Sequence, residues 1–98
     1  FVALFAYANG KLIGYSGNVI VQNLHYSDLT MFQNDVLFIS KEYRNSTIGL
    51  KLIKETERIA KEKGAKLMLW HAKENSPFAH ILPKMGCKVQ DIIYSKAL

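Results

Sequence analysis

The 98-residue sequence is short of cysteine, histidine and proline, with one, three and two of these residues. Its only cysteine, Cys87, excludes an internal disulfide and a zinc site built from several cysteines, which favours a reducing, cytoplasmic setting. The histidines, His25, His71 and His80, lack the close spacing of metal ligands. We therefore predict no metal site.

Long apolar runs are also absent. The opening run, "FVALFAYA", has 8 residues and no basic stretch before it, so it is too short for a membrane span and lacks the flanks of a signal peptide. We predict a protein with no membrane partner. Because the chain starts at Phe1 rather than Met, we expect a processed or trimmed chain that lacks an N-terminal element.

Basic charge, in contrast, is plentiful: 13 Lys and Arg against 8 Asp and Glu give a net charge of +5. A basic surface favours polyanions, either nucleic acid or a phosphate-bearing cofactor. Nucleic-acid sites combine a basic stripe with exposed aromatic residues, whereas the aromatic residues here lie in apolar, strand-like runs. Nucleic-acid binding is therefore the weaker interpretation, and it predicts affinity that falls as salt rises.

The first 40 residues are typical of three strands. Apolar, β-rich runs flank Asn9-Gly10, a pair that readily takes the positive φ angles of a tight hairpin turn. Gly14 and Gly17 in the second run indicate a bulge or a close backbone approach. Residues 23–34 are mostly polar and turn-like, with "LTMF" as an alternative strand start. The apolar run "DVLFIS", residues 35–40, predicts a strand covered on both faces.

The second half alternates helix and strand. Helical spacing of apolar residues predicts a helix that begins at a cap among residues 45–47 and stops at Gly64. The run "KLMLWHA" predicts a buried strand. A short helix follows, with Ser76 as cap and Gly86 as terminator, and Pro83 shortens or kinks it. The ending "CKVQDIIYSKAL" predicts a last strand.

This order, β-β-β-α-β-α-β, predicts a single domain over residues 1–98. A strand–helix–strand unit needs a right-handed crossover and a parallel pair, whereas the opening hairpin is antiparallel. The predicted fold class is α/β (α+β), with a mixed, mostly antiparallel sheet, a central parallel strand pair and two helices.

The turn between the third strand and the first helix has the properties of an anion site. Backbone N–H groups in a first helical turn have no helical partner, and the helix dipole favours negative charge. Arg44 at the mouth of the turn adds a charge-assisted hydrogen bond. Because every strand-to-helix turn has this potential, the physics alone does not name the anion.

A wider pattern around this turn resembles the GNAT superfamily of acyl-CoA N-acyltransferases. Arg44-x-x-Thr47-x-Gly49 is similar to the Q/R-x-x-G-x-G/A turn of that family, and "LFISKEYRNSTIGLKLI" resembles its strand, turn and helix. Downstream, "LMLWHAKENSPFAHILPKMGC" resembles the family's strand, Asn, short helix and Gly-Phe. The ending "LPKMGC…DIIYSKAL" is similar to that of short phage-encoded members. The resemblance covers roughly residues 10–95.

The resemblance implies a coenzyme A site and direct acetyl transfer from acetyl-CoA to a small-molecule or protein amine. The turn amides would hold the pyrophosphate, and the end of the third strand would pair with the pantetheine arm. The resemblance also places the Asn before the short helix at the cofactor. The implied cofactor-binding residues are Phe38, Ile39, Arg44, Asn45, Ser46, Thr47, Ile48, Gly49 and Asn75.

The sequence departs from the family pattern at three positions. Thr47 replaces the first Gly of the turn, where its β-branched side chain either crowds the pyrophosphate or gives it a hydroxyl. Leu82 occupies the position at which many members have a Tyr that acts as general acid, and Cys87 replaces the Phe of Gly-Phe. The family's N-terminal strand and first helices have no obvious counterpart. A non-catalytic GNAT-fold binding or structural module is therefore the alternative to an enzyme.

Three residues are candidates for proton transfer. Asp35 is the one carboxylate in the strand before the turn, although a solvated residue at a strand start is an equally simple interpretation. His71 ends the fourth strand, where in this family the acetyl group lies in a gap between splayed strands, and an imidazole titrates in the useful range. Tyr94, in the last predicted strand, is the candidate replacement for the missing Tyr. The structural alternative is a packed or capping side chain at each position.

The expected lack of the family's N-terminal strand and first helices also affects how the chain could pair with other chains. A sheet that has lost a strand exposes an edge that another chain can pair with. We therefore include a homodimer among the expected partners.

Overall fold

The computed structural model describes residues 1–22, 29–44 and 46–98, and in these residues it contains one sheet with strand order β1-β2-β3-β4. The β1–β2 and β2–β3 pairs are antiparallel, and β3–β4 is parallel. The mixed sheet and its helical crossover confirm the predicted fold class. The strands are β1 (Val2–Ala8), β2 (Lys11–Gln22), β3 (Thr30–Ile39) and β4 (Leu67–Leu69), and the helices are α1 (Ile48–Glu62) and α2 (Pro77–Ile81).

The predicted hairpin joins β1 to β2. Asn9 and Gly10 have φ angles of 52° and 78°, as a tight two-residue turn requires. The register then shifts, so that Ile13 has no partner on β1. Next to it, a Cβ on Gly14 would lie 2.9 Å from the carbonyl oxygen of Phe38. The bulge and the close approach predicted at the strand glycines are both present.

β3 begins at Thr30, inside the "LTMF" run that is the alternative strand start, and five residues before the other predicted start at Asp35. The longer strand forms because β2 extends to Gln22, which pairs with Thr30. The register between β2 and β3 shifts once, since Gly17 pairs with Val36 and Asn18 with Asn34. Asp35 is therefore a bulged residue in the middle of the strand. The prediction that it begins the strand is wrong.

Helix α1 covers one face of the sheet. Its buried side chains are Leu52, Ile53, Thr56 and Ala60, and they lie at helical spacing. In the sheet, Ile13 and Phe32 are 1% and 0% exposed. Thr47 takes the N-cap position, and Gly64 follows the helix with a φ of 87°, so both predicted helix boundaries are confirmed. Asn45 lies outside the described residues.

The other face of the sheet has an aromatic row. Phe5 pairs with Tyr15 across β1 and β2, and Tyr15 pairs with Phe38 across β2 and β3. The Tyr15 and Phe38 rings stack with their centroids 5.3 Å apart. Phe5 and Phe38 nevertheless remain 56% and 40% exposed. The expectation that the third strand is covered on both faces is therefore wrong for the described residues.

Helix α2 begins as predicted. The Ser76 side chain accepts a hydrogen bond from the Ala79 amide at 3.1 Å, and Pro77 is the first helical residue. A 3-10 turn that contains Pro83 follows at Leu82–Met85, and Gly86 ends it with a φ of 87°. Pro83 thus limits α2 to five residues.

The last predicted strand, residues 87–98, is not formed. Val89, Ile92, Ile93 and Tyr94 are 82%, 70%, 82% and 88% exposed. An apolar run becomes a strand only where a sheet edge supplies hydrogen-bond partners, and the nearest strand in sequence, β4, has only three residues. β4 is therefore the edge of the described sheet, and the parallel pair is not central.

No helix within residues 1–22, 29–44 and 46–98 is long and apolar enough to cross a membrane.

The close approach at Gly14 predicts that Gly14→Ala lowers the free energy of unfolding by about 1–3 kcal/mol, because overpacking shifts the backbone. The new Cβ would meet backbone oxygen at 2.9 Å and the Ile39 side chain at 3.0 Å. Chemical denaturation measures the change.

Gly49→Ala is the matched control, since its Cβ would have its nearest neighbour at 3.9 Å. We expect this control to unfold no more easily than the wild type. A Gly14→Ala variant as stable as the control would contradict the described approach of β2 and β3.

Candidate active site

The functional region begins where the parallel ladder ends. β3 and β4 pair at three positions, the last of which joins Gln33 to Leu69. β3 then continues to Ile39, whereas β4 stops at Leu69. Within the described residues, no strand pairs with residues 34–39 on this side. We call the space between β3 residues 34–39 and the chain after Leu69 the β3–β4 gap.

His71 lies at the start of the β3–β4 gap. Its Nδ1 is 2.8 Å from the Asn34 carbonyl oxygen, so the ring connects the chain after β4 to β3. Because a carbonyl oxygen only accepts hydrogen bonds, Nδ1 carries the proton when the ring is neutral. The lone pair is then on Nε2, the nitrogen that can act as a base.

Asp35 follows Asn34 in the chain. It lies at the β3 bulge, and its side chain is exposed. The structure therefore brings two predicted catalytic residues, Asp35 and His71, to the same end of the gap. Tyr94 differs from both. It belongs to no strand or helix and is 88% exposed, so the structure gives it no fixed place beside them.

The turn that leads into α1 is closed by its own serine. The Ser46 hydroxyl donates to the Tyr43 carbonyl and accepts from the Ile48 amide at 3.3 Å. The first helical bond runs from the Lys51 amide to the Thr47 carbonyl at 3.0 Å. The amides of Gly49 and Leu50 precede that bond, so helix geometry gives them no acceptor. They form the positive end of the helix dipole.

The backbone at Thr47 does not require glycine. Its φ and ψ of −77° and 0° are open to any L-residue, and its exposed side chain makes no capping hydrogen bond. Gly49 also has open space around it. The nearest atom to a Cβ placed there would be in the Ile39 side chain, 3.9 Å away. Folding therefore leaves room beside both positions of the turn.

Arg44 is held at the mouth of the turn. Its Nε donates to the Ile39 carbonyl at 3.0 Å. The two Nη groups of a guanidinium remain as further donors in this arrangement, and the side chain is exposed. The same bond occupies the Ile39 carbonyl, one of the backbone groups predicted to pair with a pantetheine arm.

The chain beyond β4 is attached to both helices through Trp70. Its Nε1 donates to Glu57 of α1 at 3.0 Å, and its ring meets Phe78 of α2 edge-on at 5.7 Å. Sequence reasoning missed the bond to Glu57, because the spacing of the two residues gives no signal for it. Asn75 follows in an exposed turn with a φ of 60°, immediately before the α2 cap.

Cys87 is a half-buried thiol whose surroundings disfavour the reactive thiolate. Desolvation raises its pKa, and the charge of Glu57 raises it further. The thiolate is the reactive form, so both effects reduce reactivity at neutral pH. In residues 1–22, 29–44 and 46–98, no group of three or more His, Cys, Asp or Glu side chains is arranged to hold a metal ion.

The mixed sheet, in which α1 connects β3 to β4 and their parallel ladder ends after three pairs, matches the acyltransferase-type fold that the sequence resemblance implies. The chain belongs to the Acetyltransferase (GNAT) family, whose model matches residues 1–86. No curated protein sequence matches it.

Solved structures of this fold are similar to the chain throughout its length. An aminoglycoside acetyltransferase, HMB0005, from an uncultured soil metagenomic sample has a TM-score of 0.83 at 17% identity, with 98% of this chain and 64% of that one covered. Ribosomal-protein-alanine N-acetyltransferase from Brucella melitensis biovar Abortus 2308 has a TM-score of 0.76 at 19% identity, with 98% and 69% covered.

A transcriptional regulator from Bacillus halodurans C-125 has a TM-score of 0.84 at 18% identity, with 98% of this chain and 65% of that one covered. The chain thus spans about two thirds of the length of these proteins. At such identities the likeness shows the fold.

Proposed function

We propose that this chain binds acetyl-CoA along the β3–β4 gap and transfers its acetyl group directly to an amine. The observation that carries the proposal is the end of the parallel ladder at Gln33 and Leu69. It leaves the backbone of β3 open beside the N-terminus of α1, where the amides of Gly49 and Leu50 have no helical acceptor. An extended ligand with a phosphate end matches these two features.

The turn is the proposed pyrophosphate site. Of the amides of residues 45–49, those of Ser46 and Ile48 donate within the turn, to the Tyr43 carbonyl and the Ser46 hydroxyl. The amides of Thr47 and Gly49, the helix dipole and the Nη groups of Arg44 are the proposed sources of donors and positive charge. Ser46 closes the turn through the Ile48 amide, and Thr47 fits the turn without strain. The open space beside Gly49 allows a phosphate to approach the backbone. Asn45 is included on its sequence position.

The open side of β3 is the proposed pantetheine site. An extended chain can pair with a strand edge as another strand would, through main-chain hydrogen bonds. Phe38 and Ile39 lie at the end of β3 nearest the turn. Arg44 occupies the Ile39 carbonyl, and the Phe38 carbonyl lies against Gly14 of β2. The Ile39 amide is therefore the proposed backbone partner, and Phe38 is proposed only as a neighbour of the arm. Asn75, exposed after β4, is the proposed contact from the other side of the gap.

Bound acetyl-CoA supplies an activated thioester carbonyl. The acceptor enters as an ammonium ion and gives up two protons in all. As the C–N bond to that carbonyl forms and the C–S bond breaks, the second proton passes to solvent, which protonates the leaving thiolate. The first proton leaves before the attack, so that the nitrogen has a free lone pair. His71 accepts this proton at Nε2, because Nδ1 is held by the Asn34 carbonyl. Asp35, exposed at the bulge, attracts the incoming ammonium group.

The leaving thiolate does not need a strong acid. A thiol with a pKa of about 8.5 is a moderate leaving group that solvent can protonate. This agrees with Leu82 at the position of the family's Tyr and with the 88% exposure of Tyr94. Tyr94 is the proposed proton donor only where the 87–98 segment approaches the gap.

The proposed acceptor is a small-molecule or protein amine. The similar structures include an aminoglycoside acetyltransferase and a ribosomal-protein-alanine N-acetyltransferase, which represent both classes. A screen therefore includes aminoglycosides, polyamines, lysine peptides and peptides with free N-termini.

A non-catalytic GNAT-fold module is the second candidate. It is favoured by Leu82 at the position of the family's Tyr and by the 88% exposure of Tyr94, the candidate replacement. This candidate predicts acetyl-CoA binding without turnover of any amine, whereas the proposed enzyme predicts both.

The pyrophosphate site predicts opposite effects of Gly49→Ala on stability and on binding. Alanine is the better helix former by about 1 kcal/mol, so the unliganded midpoint stays the same or rises. Acetyl-CoA at a hundred times its Kd should stabilise the wild type by about 2.7 kcal/mol. The new methyl group beside the amides should remove most of this gain. Thermal unfolding with and without acetyl-CoA measures both.

Inorganic phosphate and ATP serve as anion controls for that experiment. Equal stabilisation by ATP would indicate a general anion site. Undiminished acetyl-CoA stabilisation of Gly49→Ala would show that the pyrophosphate lies elsewhere.

The base assignment predicts that His71→Gln lowers kcat by about 10²–10⁴-fold, the usual contribution of a general base. Stabilisation by acetyl-CoA should persist, because the turn and β3 are unchanged. Release of free thiol from acetyl-CoA in the presence of an amine measures the rate. If His71→Gln turns over like the wild type while Asp35→Asn does not, the base is Asp35.

A further inference from the structure

Four buried polar side chains form one connected cluster below the β3–β4 gap. Ser16, Asn18 and Thr56 are 0% exposed, and Asn34 is 2% exposed. In the described part of the chain, every buried side-chain nitrogen and oxygen has a hydrogen-bond partner. Buried polar groups are costly unless they are paired, so a fully paired cluster fixes one local geometry.

The cluster connects β3 to α1 through hydrogen bonds of defined direction. Asn34 Nδ2 donates to Asn18 Oδ1 at 3.0 Å, and Asn18 Nδ2 donates to Ser16 Oγ at 2.9 Å. Thr56 Oγ1 is 2.7 Å from the Leu52 carbonyl oxygen and 3.0 Å from Ser16 Oγ. A hydroxyl has one hydrogen and a carbonyl only accepts. Thr56 therefore donates to Leu52, and Ser16 donates to Thr56.

The Asn34 amide also spans the bulge at Asp35. Its Nδ2 lies 3.3 Å from the Gly17 carbonyl oxygen on β2 and 3.1 Å from the Val36 carbonyl oxygen on β3. These two residues pair with each other immediately beyond the bulge. A bulge disrupts the backbone ladder locally. Asn34 Nδ2 has two hydrogens for three acceptors, Asn18 Oδ1 and these two carbonyl oxygens, so it shares them between groups on both strands at that point.

The same residue holds the base. The backbone carbonyl of Asn34 accepts from His71 Nδ1 at 2.8 Å, and the direction of this carbonyl depends on the geometry of the bulge that follows it. We propose that Asn34 is a positioning residue whose buried amide fixes the bulge, so that its carbonyl keeps His71 in the Nδ1–H tautomer with Nε2 free to accept a proton. The catalytic part of this inference rests on the proposed function, whereas the tautomer itself does not.

The test compares Asn34→Ala with Asn18→Ala in the full chain. Both variants remove a buried amide from the same cluster, so both should lower the unfolding midpoint. Only Asn34→Ala removes the donors to Gly17 and Val36. Long-range ¹H–¹⁵N NMR of the His71 ring reports the tautomer without any need for turnover. We expect the Nδ1–H form in the wild type and in Asn18→Ala, and a mixture of tautomers in Asn34→Ala.

Kinetics provide the second readout, with the acceptor found in the amine screen. Misplacing the base should lower kcat of Asn34→Ala by about tenfold to a hundredfold, with KM for acetyl-CoA unchanged. Asn18→Ala should retain kcat. If Asn34→Ala does not fold, Asn34→Ser keeps one donor and should give an intermediate tautomer ratio.

The proposal is overturned by a wild-type His71 ring in the Nε2–H form, or by equal tautomer changes in the two alanine variants. A wild type with the Nδ1–H ring but no turnover would refute the enzyme and leave the role of Asn34 in the tautomer intact. The two failures are therefore distinguishable.

Discussion

The parallel ladder between β3 and β4 is three residue pairs long, and the positions of the proposed functional groups follow from where it ends. β4 ends at Leu69, so beyond Gln33 no described strand pairs with this side of β3, and its backbone is an open edge near the N-terminus of α1. An edge of this kind offers main-chain donors and acceptors to an extended ligand. His71 lies just beyond the last β3–β4 pair, and its Nδ1 is 2.8 Å from the Asn34 carbonyl oxygen.

Buried contacts in the core connect α1, β2 and the part of β3 that borders the gap. Thr56 of α1 contacts Ser16 of β2 at 3.0 Å, and the cluster continues to Asn34 at the β3 bulge. On the neighbouring strand, Gly14 allows β2 to approach the Phe38 backbone closely. The helix that presents the proposed anion-binding amides and the strand that carries the bulge are thus connected by buried hydrogen bonds. These contacts fix the position of the open side of β3 relative to α1.

Local signals predicted much of the fold. Asn9-Gly10, Gly64, the Ser76-Pro77 start and Gly86 each act through nearby backbone geometry, and the structure confirms each of them. The prediction of a last strand was wrong because apolar composition alone supplies no hydrogen-bond partner for the backbone. The bulge at Asp35 was also missed, since it depends on pairing between distant residues. The buried asparagines were the available signal, because Asn is rare inside strands.

The candidate site was predicted more completely at the turn than at the reacting centre. Arg44, Thr47 and Gly49 are close in sequence, so their spacing alone indicated an anion site. The tautomer of His71 depends on a carbonyl 37 residues away, a relationship that one sequence does not show. Tyr94 was chosen from a strand that does not form, so its role depends on where the 87–98 segment lies.

The most direct test of this account is an NMR titration of ¹⁵N-labelled chain with acetyl-CoA, followed through the backbone amides. We predict saturable shifts of Gly49 and Leu50 together with shifts along residues 36–39 of β3, since one extended ligand would contact both. Shifts confined to scattered lysines, or no shifts at concentrations that saturate related enzymes, would contradict an acetyl-CoA site in the β3–β4 gap.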